Sequence, residues 1–129
     1  MHISLTDRQQ AHVARARAVG GAAATAVEAT AVVRASADAG LFADLDDVLG
    51  IALAVEAMTT ESAAAGMTRV LHGTVAFTLR HHPRGAHLQS GAGVGGLALS
   101  SETLPTCRDG RLTGDAHWVG PLAGSGLAL

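Results

Sequence analysis

The stretch that decides the fold reads Val94-Gly-Gly-Leu-Ala-Leu-Ser-Ser-Glu102, then Asp109-Gly-Arg-Leu-Thr-Gly114, then His117-Trp-Val-Gly120. Leu97 and Leu99 alternate with small residues, which is the period of a strand. Asp109-Gly110 predicts a two-residue hairpin, because both central positions of a type I′ turn need positive φ. We therefore expect a strand, a hairpin and a further strand that carries Trp118. The apolar residues from Gly126 onward predict the beginning of one more strand.

The chain before this stretch is rich in alanine and shows helical periodicity. Thr6-Asp-Arg-Gln9 has the pattern of a capping box, which predicts a helix that runs to about Val19. Gly20-Gly21 is expected to loosen or break this helix, since an interior glycine costs about 1 kcal/mol relative to alanine. A second helix is predicted over residues 22–38, with Gly40 as the glycine that ends it.

Two more helices are predicted between residues 44 and 81. Asp44 is the expected N-cap of the first of them. Its apolar positions leave little polar face, so we expect this helix to be largely buried. Thr60-Glu61 starts the next helix, which ends near His81, ahead of Pro83. Residues 83–93 carry Pro, Gly, Ser and His and predict a loop.

These elements predict a mainly α protein with a small β part, in which a bundle of about four helices precedes an incomplete antiparallel β unit. Residues 1–88 form the predicted helical domain, and residues 89–129 form the predicted partial β domain. The chain has two Phe, one Trp and no Tyr, so its core must be built from Ala, Val and Leu. Because small side chains bury little apolar area, we expect modest stability or stability gained from a partner.

Composition and charge exclude several classes of protein. The net charge is −2 and there is no basic stripe, so nucleic-acid binding has no electrostatic footprint. The longest apolar stretches are broken by Glu28, Arg34 and Glu56, so no membrane span is expected. A single cysteine, Cys107, and the lack of a signal-peptide pattern predict a cytoplasmic protein. The sequence also lacks Lys, Asn and Tyr, which favours a gene from a GC-rich bacterium.

Five segments of the chain carry a resemblance to a known family: Ala37-Asp-Ala-Gly-Leu-Phe42, residues 45–56, residues 61–79 with Leu71-His-Gly73 inside them, Gly95-Gly-Leu-Ala-Leu-Ser-Ser-Glu102, and residues 109–119. In this order they resemble the acyl-CoA dehydrogenase family. The first three look like successive helices of its N-terminal domain. The fourth resembles the first strand of its middle β domain, and the fifth resembles the hairpin that ends in Trp-Ile-Thr.

This resemblance implies a flavoprotein that binds FAD along its β domain. Leu99, Ser100 and Ser101 would donate to the edge of the isoalloxazine ring, and Trp118 and Val119 would cover its face. The implied reaction abstracts the α proton of an acyl-CoA thioester and transfers a hydride from the β-carbon to the flavin. The implied partners are acyl-CoA and either a second copy of the chain or a full-length or complementary acyl-CoA dehydrogenase subunit.

The chain departs from the family at several places. Phe42-Ala-Asp44 stands in place of a Pro-x-x-Tyr-Gly-Gly segment, and Gly120 stands where a flavin-contacting Thr or Ser follows the Trp. The family's catalytic Glu lies in a C-terminal helical domain that this sequence does not show. We therefore expect a truncated, degenerate or split enzyme that is not catalytic as a lone chain. The alternatives are a non-catalytic helical interaction or oligomerisation module and a helical binder of small apolar ligands.

Other chemistry-bearing residues give weaker signals. No metal site is predicted, because His81 and His82 are adjacent on a helix and point in different directions, and His72 is not at helical spacing from them. Gly91-Ala-Gly-Val-Gly-Gly96 precedes a strand, whereas a dinucleotide fingerprint follows one. Glu56 is expected to be paired or exposed at the edge of its helix. Cys107 has no activating partner in the sequence, so a nucleophile is not predicted there.

Overall fold

The computed structural model describes residues 4–24, 28–99, 106–114, 118–120 and 127–128. Its elements within these ranges are α1 (Asp7–Ala23), α2 (Ala29–Asp38), α3 (Val48–Glu61), α4 (Ala63–Thr78), α5 (Gly85–Gln89), β1 (Gly95–Leu99), β2 (Thr106–Arg108), β3 (Arg111–Thr113), β4 (Trp118–Gly120) and β5 (Leu127–Ala128). The prediction of a mainly α protein, with about four principal helices and a small β part, is confirmed. The domain boundary at residue 88 stays a prediction.

Helix α1 begins as predicted but does not break at its glycine pair. The Thr6 hydroxyl accepts from the Gln9 N–H, and the Gln9 side chain accepts from the Thr6 N–H, which completes the capping box. The helix then continues through Gly20 and Gly21 to Ala23. Gly20 is buried against α3, and a Cβ there would lie 2.9 Å from the carbonyl oxygen of Met58. The close approach of two helices therefore outweighs the low helix propensity of glycine.

The two glycines of α1 predict opposite responses to alanine. Gly20→Ala should cost about 1–3 kcal/mol, because the added methyl group meets backbone atoms of α3 that cannot move freely. Gly21→Ala should stabilise the chain by up to about 1 kcal/mol, since nothing lies within 4 Å of its added Cβ. Urea unfolding of both variants measures these differences. If the two variants changed the free energy of unfolding in the same direction, the packing of α1 on α3 would be contradicted.

Helix α2 ends at the glycine that the sequence indicates. Gly40 has φ +70°, and its N–H donates to the carbonyl of Ala37. The N–H of Leu41 donates to the carbonyl of Ser36, so the two bonds form a Schellman motif. This turn directs Leu41 and Phe42 into the core, where they are 1% and 2% exposed.

Helix α3 differs from its prediction at its start and in its burial. Asp47 is the N-cap and accepts from the Gly50 N–H, whereas Asp44 accepts from the N–H groups of Asp46 and Asp47 in the preceding turn. The buried positions are Gly50, Ala54, Ala57 and Met58. The prediction of a largely buried helix is wrong, because Val48 at the start of α3 is 68% exposed and the helix buries one face only.

Helix α4 and the segment after it also differ in detail from the prediction. Ser62 ends α3 and caps α4, with its hydroxyl accepting from the Ala65 N–H, so the new helix starts two residues after the predicted Thr60-Glu61. Helix α4 ends at Thr78, three residues before the predicted His81. The predicted loop over residues 83–93 contains the short helix α5.

Two hydrophobic clusters form the core. The first joins α1, α2, α3 and the start of α4 through small side chains, as the composition predicts: Ala16, Val19, Ala23, Val32, Leu41, Ala54, Ala57, Met58 and Ala65. The second surrounds α4 and reaches the β part: Val33, Phe42, Leu45, Val75, Ala76, Leu88 and Val94. Helix α4 therefore links the helical bundle to β1.

The strands form two small sheets. In the first, β1 lies between β4, which is antiparallel to it, and β5, which is parallel to it. In the second, β2 and β3 form a hairpin in which Asp109 and Gly110 have φ values of +52° and +72°. The predicted type I′ turn is therefore confirmed. The parallel pairing of β5 is the one feature of these sheets that the predicted antiparallel unit does not include.

Candidate functional site

The pairing of β1 with β4 brings together three of the five residues that the family resemblance assigns to flavin binding. Leu99 pairs with Trp118, and Ala98 pairs with Val119. Leu99 is the last residue of β1 and Trp118 is the first residue of β4, so both lie at one end of the strand pair. Ser100 and Ser101 follow β1 directly in the sequence and lie outside the described residues.

A buried histidine on α4 holds the other end of β1. The Gly95 N–H donates to Nδ1 of His72 over 2.9 Å, and Nε2 of His72 lies 3.2 Å from the Leu88 carbonyl oxygen. Because Nδ1 accepts a hydrogen bond, the ring proton is on Nε2, which donates to Leu88. This arrangement uses both nitrogens of a neutral imidazole. His72 thereby joins α4 to both α5 and β1.

Burial also sets the charge state of this histidine. His72 is 0% exposed, and desolvation lowers its pKa from 6.5 to about 4. The bond to the Leu88 carbonyl acts in the opposite direction, and the positive charge of Arg69 adds to the lowering of the pKa. At neutral pH the ring is therefore uncharged, which suits its role between a backbone donor and a backbone acceptor.

One turn before His72, Arg69 places a guanidinium in the interior. The residue is 1% exposed; its Nη2 donates to the Leu41 carbonyl over 2.9 Å, and its Cζ lies 4.4 Å from the centre of the Phe42 ring. Among the described residues, Nε and Nη1 of Arg69 have no hydrogen-bond partner. Burial lowers the pKa of Arg69 to about 10, so the side chain stays positively charged at neutral pH.

Arg69 also lines a groove between α3 and α4 with a volume of about 290 Å³. Helix α3 contributes Val48, Ile51 and Val55. Besides Arg69, α4 contributes Val70, Gly73, Thr74 and Phe77. The lining is mainly apolar, and Val48, Val70 and Phe77 are exposed. This groove is separate from the β1–β4 pair, since it lies on the face of α4 that packs beside α3.

The sequence does not indicate a functional site at Arg69 or His72, and the spacing of His72 from the other histidines predicts no metal site. The available signal is their position in α4: both lie between Met67 and Val75, which belong to the apolar stripe of this helix, and a polar side chain that is buried with such a stripe needs a partner. Those partners are backbone groups that lie 16 to 28 residues away in the chain. No sequence pattern marks such groups.

The remaining candidates lie on the surface. Glu56 is exposed, as the sequence predicts. His81, His82 and His87 are exposed, and Cys107 is a free, exposed thiol. In the part of the chain that the structure describes, no group of three or more His, Cys, Asp or Glu side chains is arranged to hold a metal ion.

A search of the described helices finds none with the length and apolar character needed to cross a bilayer. Comparison of the chain with family models, with curated proteins and with solved structures finds no match.

Proposed function

We propose that this chain is an acyl-CoA dehydrogenase-like flavoprotein, or a segment of one, which holds FAD at the end of the β1–β4 strand pair. The observation that supports the proposal is the pairing of Leu99 with Trp118. The resemblance assigns these two residues to the polar edge and the flat face of the same isoalloxazine ring. They are 19 positions apart in the chain, yet their backbones are neighbours in the sheet.

The topology of the sheet is compatible with a flavin at this place. Strand β1 is the central strand: β5 pairs with Gly95 and Gly96, and β4 pairs with the three residues from Leu97 to Leu99. We place the flavin beyond the carboxyl end of β1, where Ser100 and Ser101 follow in the sequence. A flavin site needs a few fixed polar groups beside a flat apolar wall. Ser100 and Ser101 would provide the polar groups beyond the carboxyl end of β1, and Trp118 would provide the flat apolar wall.

When bound, FAD would supply the hydride acceptor for oxidation of an acyl-CoA thioester between its α and β carbons. The proposed part of this chain is to hold and orient the flavin. We assign none of the described residues as the base that takes the α proton. We therefore propose that the complete reaction needs a second copy of the chain or a complementary acyl-CoA dehydrogenase subunit, in the reducing cytoplasm that the single cysteine favours.

Titration of the purified chain with FAD, followed by flavin fluorescence, tests this proposal. We expect saturable one-to-one binding that is weakened about twofold to twelvefold in Trp118→Ala, because an aromatic stacking contact contributes about 0.5–1.5 kcal/mol. Trp118→Phe keeps a flat ring and should retain most of the affinity. Cys107→Ser, on the separate β2–β3 hairpin, is the matched control. A folded chain that binds no FAD would refute the proposal.

A second candidate is the non-catalytic interaction module. The observation that favours it is the exposure of large apolar side chains on α3 and α4: Val48 is 68% exposed, and Leu49 and Met67 are each 53% exposed. Contiguous exposed apolar patches mark contact surfaces, and Val48 and Leu49 are adjacent at the start of α3. Flavin-free self-association that is lost in Leu49→Ser would favour this candidate over the flavoprotein.

A further inference from the structure

The groove between α3 and α4 has an apolar lining and a buried positive charge in its wall. The charge belongs to Arg69, and the two ion pairs among the described residues, Arg8–Asp44 and Arg80–Asp46, do not include it. Its Nη1 lies beside Gly73, where an added Cβ would collide with it. Because residue 73 is glycine, Nη1 occupies the space that a Cβ would fill, and it lies buried in the wall of the groove without a hydrogen-bond partner among the described residues. A buried N–H donor that is charged and unpartnered favours an anionic acceptor.

The size of the groove limits what it can hold. Its volume of about 290 Å³ lies at the lower end of the range of about 300–1,000 Å³ that is typical of small-molecule sites. A nucleotide or an intact coenzyme A thioester is too large to be enclosed there. A short hydrocarbon body with one small anionic group matches both the volume and the apolar lining.

We propose that this groove binds a small apolar monocarboxylate whose carboxylate accepts a hydrogen bond from Nη1 of Arg69. Its hydrocarbon body packs on Val48 and Ile51 of α3. Val70 and Phe77 flank Gly73 by one turn on each side and are 40% and 37% exposed, and the proposed binding requires them to turn toward solvent and admit the carboxylate to Nη1. The bound ligand covers apolar side chains that now face water and gives the buried guanidinium an acceptor.

This site does not depend on the proposed flavin site. The groove residues described above lie on α3 and α4, whereas the proposed flavin site lies at the end of β1 and β4. A chain that binds no FAD would keep the groove, and a chain without Arg69 would keep the strand pair. The two proposals therefore fail separately.

Isothermal titration with hexanoate, with hexan-1-ol as its uncharged match, tests the proposal on the full chain. We expect saturable one-to-one binding of hexanoate and affinity at least about tenfold lower for the alcohol, as a hydrogen bond to a charged group provides. Arg69→Met keeps the length of the side chain but removes its charge. The affinity of this variant for hexanoate should fall to its affinity for hexan-1-ol. Met67→Ala, also on α4 but outside the groove, should bind hexanoate like the parent chain.

A second variant keeps the test decisive if Arg69→Met does not fold. Gly73→Ala places a methyl group against Nη1. It should lower the affinity for hexanoate by about tenfold and the affinity for hexan-1-ol by less. Equal affinities of hexanoate and hexan-1-ol for the parent chain would overturn the proposal. So would hexanoate binding that persists unchanged in a folded Arg69→Met variant.

Discussion

Acidification from about pH 7 to pH 4 should destabilise this chain by about 3 kcal/mol through His72 alone. The folded-state pKa of His72 is about 4, and its ordinary value is 6.5. Above pH 6.5 both the folded and the unfolded chains carry a neutral imidazole, so the stability is at its full value. As the pH falls from 6.5 to 4, the unfolded chain binds a proton that the folded chain does not. Each pH unit in this window removes about 1.4 kcal/mol.

The structural consequence of this titration is local to the joint between α4 and β1. A protonated ring carries hydrogens on both nitrogens, so Nδ1 can no longer accept from the Gly95 N–H. The two donors then face each other inside a site that excludes water. We therefore expect β1 and its neighbour β4 to separate from α4 first, and Trp118 fluorescence, which reports on β4, should change before the helical circular dichroism does.

Urea unfolding at intervals between about pH 7.5 and pH 4.5, with His72→Gln as the comparison, measures this effect. The glutamine amide can accept from Gly95 and donate to Leu88, and it does not titrate. Burial and the nearby Arg15 also lower the pKa of the half-buried His12, so both chains are compared in a His12→Gln background. The parent should lose stability steeply and His72→Gln should change little. Equal slopes would contradict the assignment of the acid sensitivity to His72.

Local chemistry made part of this fold predictable from the sequence. The Thr6 capping box, the Gly40 helix end and the Asp109-Gly110 hairpin each depend on residues within a few positions of one another, and each is present in the structure. The order of helices followed by strands was also predictable, because hydrophobic periodicity changes from helical to alternating near residue 95. These features can be predicted without knowing which residues pack against them.

The features that the sequence did not predict depend on distant neighbours. Gly20 stays inside α1 because Met58 lies against it, and Val48 stays exposed although it extends the apolar face of α3. In the candidate sites, the order of segments indicated which strands would carry Leu99 and Trp118, but not that the two residues would pair. The buried partners of Arg69 are likewise set by the turn after α2, which places the Leu41 carbonyl against α4.

Replacement of Phe42 by alanine should cost about 4 kcal/mol, the largest effect that we expect from a single substitution here. Phe42 is 2% exposed and belongs to the cluster that joins α4 to β1. Its ring centre lies 4.7 Å from that of His72 and 4.4 Å from the Cζ of Arg69. The ring therefore covers Arg69 and His72, two of the three buried polar side chains of α4. Alanine would leave a cavity beside a charged guanidinium and would also remove its cation–π contact.

The other phenylalanine of the chain provides the matched control. Phe77 also contacts an arginine, with the Arg80 Cζ 4.0 Å from its ring centre, but it is 37% exposed. Phe77→Ala should therefore cost about 1 kcal/mol or less. Single domains are stable by about 5–15 kcal/mol, so Phe42→Ala should remove a large share of the total, which urea unfolding at pH 7 would detect. Similar losses in the two variants would mean that Phe42 does not shield Arg69 and His72. In that case the packing proposed for α4 would be wrong, because only a buried ring beside those groups makes the two substitutions unequal.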